Sequence, residues 1–96
     1  MSRLSPDSLV SIRNAVAMTT NPSLPQLLAL LIERGELSVD AAAPLLGLAR
    51  FMALRIANRL VAFGYARCCT HGKDERYFAT ISGRAIDAVM RTGSLR

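Results

Sequence analysis

The stretch LARFMALRIANRLVAFGY, Leu48 to Tyr65, decides how this chain folds. It follows one glycine, Gly47, and closes on another, Gly64, beside an aromatic residue. Ala53, Ile56, Ala57, Leu60 and Val61 recur at spacings of three and four, the period of an amphipathic helix. A helix is therefore expected from about Arg50 to Phe63, with those residues facing the core and Gly64 as its stop. Arg55, Asn58, Arg59 and Ala62 then face outward, and Arg55 and Arg59, four apart, stack on one side. Met52 falls at the edge of the core face. Phe51 and Leu54 are hard to hide in this register. The helix opens on Ala49, where a Ser or Thr cap would add about 1 kcal/mol.

Upstream, Ser38 is a good N-cap for SVDAAAPLLG, with Asp40 in the first turn. Pro44 inside that segment predicts a kink or a 3₁₀-like turn, and Gly47 ends it. Leu48-Ala49 is then a tight turn between two helices. Ser23 and Gln26 form a capping-box pattern ahead of Leu27, Leu28, Leu30, Leu31 and Ile32. A helix apolar around so much of its circumference belongs at the centre of a fold. Gly35 stops it, and Leu37 is a short apolar link. Ser5-Pro6-Asp7 opens a first helix whose apolar positions, Leu9, Ile12 and Val16, carry it to Met18; Asn21-Pro22 breaks it.

Downstream, YARCCT (65–70) and RYFATI (76–81) have strand-like content around the turn His71-Gly72-Lys73-Asp74. Ser82 caps a last helix with Ile86, Val89 and Met90 on its apolar side, ended by Gly93. The expected fold is mainly α with a small β-hairpin, arranged as a winged helix-turn-helix. One domain, 1–96, is expected: an N-terminal helix 5–18, a helical core 23–63, a wing hairpin 65–81 and a C-terminal helix 82–92.

A chain of 96 residues can bury one small core. Its apolar fraction of 51% and mean hydropathy of +0.28 are high for so small a chain and favour a hidden interface, most simply a homodimer. Twelve Lys and Arg against seven Asp and Glu give a net charge of +5, which suits a polyanionic partner. No secretory leader pattern and no apolar run of membrane-spanning length is present, so no membrane partner is expected. Cys68 and Cys69 are adjacent, and neighbours on a strand point to opposite faces, which disfavours a disulfide between them. A reducing cytoplasm is the expected location.

The segments QLLALLIERGELSV, LLGLAR, RIANRLVAFGYARC and KDERYFATISGRAI, in that order from Leu24 to Met90, resemble the core of the MarR-type winged helix-turn-helix transcriptional regulators, in a short, minimal version. The acidic-x-arginine step of the family's wing is matched by Asp74-Glu75-Arg76. The resemblance implies a dimer on palindromic double-stranded DNA, with the helix Arg50–Phe63 in the major groove and the hairpin at the flanking minor groove. It makes Arg50, Arg55, Asn58 and Arg59 helix contacts, and Lys73 and Arg76 wing contacts. Arg and Lys pair with phosphate or with guanine, and Asn with adenine. Family members carry longer terminal helices, so a dimer that is smaller or differently built is expected here, and a drug-like effector pocket is not.

Phe51, Met52 and Leu54 stand where the family shows polar contacts. Two readings stay open. Apolar groups touch thymine methyls, which keeps the trio among the DNA-binding candidates. A Phe-Met-Leu cluster is also the kind of anchor that meets a protein partner, which would make the chain an anti-activator or an assembly adaptor. Cys68-Cys69, near Arg67 and His71, is either a thiol sensor or a pair with one side chain packed in and one out. Two adjacent cysteines and one histidine are poor zinc spacing, so no metal and no cofactor are expected. Asp40, Asp74 and Asp87 are scattered and there is no glycine-rich phosphate loop, so the chain is not expected to be an enzyme.

Overall fold

A computed structural model describes Asn14 and residues 16–92. The expected helix start at Ser5 and the stop at Gly93 lie outside the described residues. The elements run as helical residues 16–20 (α1), α2 (Ser23–Arg34), β1 (Leu37–Ser38), α3 (Val39–Leu46), α4 (Arg50–Ala62), β2 (Ala66–His71), β3 (Asp74–Ala79) and α5 (Ile81–Thr92). The three strands form one antiparallel sheet in the order β1-β3-β2.

The all-round apolar helix is central, as its sequence predicts. Leu24, Leu27, Leu28 and Leu31 of α2 are buried, and they meet Met18, Ala53, Ile56, Ala57, Leu60, Tyr65 and Tyr77 in one core. Its start differs from expectation. The Ser23–Gln26 capping box does not form; Asn21 caps instead, its Oδ1 accepting from the Ser23 backbone N–H at 3.1 Å. An amide two residues earlier wins because Pro22 already has helical geometry and carries the chain into the helix.

Leu37 is more than a link. It pairs with Tyr77 and Ser38 pairs with Arg76, which adds a third strand to the hairpin. Two residues are too short for a period-2 pattern to reveal a strand. Ser38 also caps α3, its Oγ accepting from the Ala41 backbone N–H at 3.2 Å. Pro44 lies inside α3 without ending it; the helix runs two residues further to Leu46. An eight-residue helix has little ladder left for a proline to break.

Both turns around α4 close in the same way. At Gly47 (φ 67°) the Leu48 N–H donates to the Ala43 carbonyl and the Gly47 N–H to Pro44. At Gly64 (φ 82°) the Tyr65 N–H donates to Leu60 and the Gly64 N–H to Val61. These paired bonds satisfy the last carbonyls of a helix, and they need a left-handed residue at the turn. The last helix also starts one step earlier than expected. Thr80, not Ser82, is its cap, with Oγ1 accepting from the Gly83 N–H at 3.0 Å.

Candidate nucleic-acid interface

The register of α4 follows the sequence closely. Ala53, Ile56, Ala57 and Leu60 are buried, and Val61 is half-buried against the core. Arg55, Asn58, Arg59 and Ala62 are exposed. The apolar trio splits. Phe51 is 63% exposed, whereas Met52 is half-buried and Leu54 is half-buried against the core. The expectation that Leu54 could not be hidden is therefore corrected: its side chain reaches back to the core from the flank of the helix. Long side chains lean toward the preceding turn and cover more of a helix flank than their position on a wheel suggests. Ala49 leaves the helix start without a side-chain cap, and its carbonyl accepts from both Met52 and Ala53 N–H at 3.0 Å.

The cations divide into three groups. Arg50 and Arg76 are tethered. Arg50 Nε donates to Asp40 Oδ1 at 2.7 Å, linking the first turns of α3 and α4. Arg76 Nε donates to Asp74 Oδ2 at 3.0 Å and its Nη1 to Glu36 Oε1 at 3.3 Å. Residues two apart on a strand share a face, which is the physical content of the Asp-x-Arg step. The bond to Asp74, with the charges of Asp74 and Glu36, raises the Arg76 pKa further. Arg59 is stacked, its guanidinium 5.7 Å from the centre of the Phe63 ring. Arg55 and Lys73 are free of ion pairs and side-chain hydrogen bonds among the described residues.

Lys73 sits in a two-residue turn with Gly72 (φ 66°) at the tip of the hairpin. The tip folds toward the helices, so that Lys73, Asp74 and Glu75 share one polar hollow with Arg50 and with Ser38, Val39 and Asp40 at the head of α3. Asp74 is the acid that the sequence marks beside Arg76, whereas Asp40 and Glu36 are not marked as arginine partners, because ion pairs between α3 and α4 or across β1 and β3 depend on which elements meet.

Tyr77 was missed for the same reason. It lies on the inner face of β3, only 3% exposed, and its hydroxyl donates to Asn58 Oδ1 on α4 at 3.0 Å. Burial, helped by Cys68 and Glu75, pushes its pKa up to about 12. Cys68 is the cross-strand partner of Tyr77 on that inner face, yet it is exposed; Cys69 faces the other way and is half-buried. The expected split between inward and outward cysteines holds for direction, but the inward one is the more accessible. The described residues contain no helix long and apolar enough to cross a membrane.

No protein-family model matches the chain, and no curated protein matches it in sequence. Solved structures do match it. YusO from Bacillus subtilis superposes with a TM-score of 0.74 at 19% identity, covering 85% of this chain and 61% of YusO. This chain thus spans less than two thirds of that protein. The homodimeric winged helix-turn-helix DNA-binding domain of Mb0332 from Mycobacterium bovis, described as a possible ArsR-family transcriptional regulator, gives 0.73 at 22% identity over 98% of this chain and 91% of that one. NolR from Sinorhizobium fredii gives 0.67 at 21%, over 98% and 94%. Neighbours of this kind do not separate the MarR type from other types. At such identities the likeness fixes the architecture: the chain has the winged helix-turn-helix fold, mainly helical with a small three-stranded antiparallel sheet.

Proposed function

We propose that the chain is a DNA-binding transcriptional regulator that represses by occupying an operator as a small homodimer. The observation that carries this reading is the outward side of α4, where Phe51, Arg55, Asn58 and Arg59 are all exposed, with Arg50 and the wing-tip Lys73 around one hollow at the head of the helix. Arg55 and Lys73 supply phosphate contacts as they stand. Arg50 and Arg76 reach phosphate by leaving exposed carboxylates, an exchange that costs little because such pairs are worth at most about 1 kcal/mol. Within the fold, the sequence marks between Leu24 and Met90 support the MarR type.

Titration into random-sequence duplex DNA at several salt concentrations tests the reading. Affinity falls steeply with salt, and replacing Arg55 and Arg59 together by Ala lowers the slope of log K against log salt by about 2. Absence of binding at low salt removes the DNA reading. The alternative, a protein-interaction module, rests on the exposed ring of Phe51. It predicts that Phe51→Ser abolishes function while DNA binding is absent throughout. Met52 and Leu54 give it weaker support, since both are half-buried.

A further inference from the structure

Asn58 lies on the outward side of α4, three residues from Arg55 and seven from Phe51, which puts all three on one stripe of the helix. An asparagine amide has two ends with opposite chemistry, a carbonyl that accepts and an amino group that donates. Bidentate pairing with adenine needs both: the carbonyl takes the N6 amino hydrogen and the amino group gives to N7. In this protein the carbonyl end is turned toward the sheet, with one of its two lone pairs taken. The Tyr77 hydroxyl donates to Oδ1 at 3.0 Å, from a side chain almost wholly buried in the sheet. Tyr77 cannot swing away to release it, because its ring is part of the core. Its hydroxyl also meets the Cys68 side chain, and burial keeps its proton on through the neutral range. The exposed Nδ2 amino group has no partner among the described residues.

We propose that Tyr77 is a positioning residue that holds the Asn58 amide with its amino end outward, which favours guanine over adenine. Guanine shows two acceptors in the major groove, N7 and O6, and the two amino hydrogens of Asn58 can serve both. Adenine offers this group N7 alone and sets its own N6 donor beside it. Thymine offers only O4 and places a methyl next to it. The wing thus sets the base preference of the helix without touching that base. This deepens the regulator reading, on which it rests.

The test is selection from a randomised duplex pool by the full chain and by two variants, Tyr77→Phe and Asn58→Ala. Wild type enriches guanine at one position in each half-site. Tyr77→Phe frees the carbonyl and shifts that position toward adenine, by about tenfold in the ratio of the two bases. Asn58→Ala flattens that position and leaves the others. Identical preferences in wild type and Tyr77→Phe overturn the inference, and so does enrichment of adenine by wild type. Should Tyr77→Phe fail to fold, the wild-type selection still decides: guanine lost specifically in Asn58→Ala supports the inference, and adenine or no preference at that position in wild type overturns it. Failure of the parent reading looks different: wild type then enriches no sequence and shows no salt-dependent binding.

Discussion

At the base of the hairpin, Ala66 pairs with Ala79, both buried, and the backbone of the Gly64–Tyr65 turn is held from several sides. Thr80 Oγ1 donates to the Gly64 carbonyl at 2.6 Å and the Thr80 N–H to the Tyr65 carbonyl at 3.0 Å. The Phe63 and Tyr65 rings meet edge to face with centres 5.9 Å apart. At the tip, the same two strands end in Gly72 and Lys73 and are surrounded by exposed Asp74 and Glu75. The base is fixed by buried side chains and by hydrogen bonds to the backbone of the turn. The tip is held by charges that water screens. One hairpin thus joins a part that sets geometry to a part free to exchange partners, and substitutions should sort accordingly.

The largest effect is expected at Gly83. A methyl group there would overlap the Tyr65 carbonyl, and that atom is backbone already engaged by Thr80. Gly83→Ala should cost about 1–3 kcal/mol, as overpacking of a core does. Thermal melting would then show a fall of roughly 10 °C; an unchanged Tm would mean that α5 does not press on the turn as described.

A smaller effect is expected from alkaline titration of Tyr77. Its folded pKa of about 12 stands above the ordinary 10.0, so below pH 10 the hydroxyl is protonated in both states and has no influence. Between 10 and 12 the unfolded chain loses the proton first, and stability falls as pH rises. Melting curves from pH 9 to 12 should therefore decline less steeply for Tyr77→Phe than for wild type. Tyr65, also raised by burial, contributes in the same sense and leaves a residual slope. Equal slopes for the two proteins would show that Tyr77 is not sheltered.

The smallest effect on stability belongs to the tip. Lys73→Ala should change the folding free energy by less than about 0.5 kcal/mol. It should nonetheless lower the salt slope of DNA binding by about 1. A loss of stability at Lys73 comparable to that at Gly83 would erase the contrast between base and tip.

The legible part of the molecule was its periodicity. The core side of α4 follows from Ala53, Ile56, Ala57 and Leu60 alone, and Gly47, Gly64 and Gly35 mark real left-handed stops. Signals carried by one or two residues were less readable. Two caps moved, from Ser23 to Asn21 and from Ser82 to Thr80, because neighbouring polar residues compete for the same orphan N–H groups and geometry decides. The candidate site was legible as a list of outward cations. Its wiring was not: Asp40 with Arg50, Glu36 with Arg76 and Tyr77 with Asn58 are separated by 10, 40 and 19 residues, and only the assembled fold brings them together.

Ala49 gives α4 two unlike ends. The C-terminal end is locked by the turn at Gly64 and by Tyr65, while the first turn starts without a side-chain bond. In the language of hydrogen exchange, the amides of Arg50 and Phe51 should open without disturbing the rest of the helix and trade deuterium well before those of Ile56 to Leu60. The loose end is also the one that carries the exposed phenyl ring and the arginine tethered to Asp40. The helix is therefore a rigid rod with a pliable nose, able to refit its first turn to a surface while its axis stays anchored in the core.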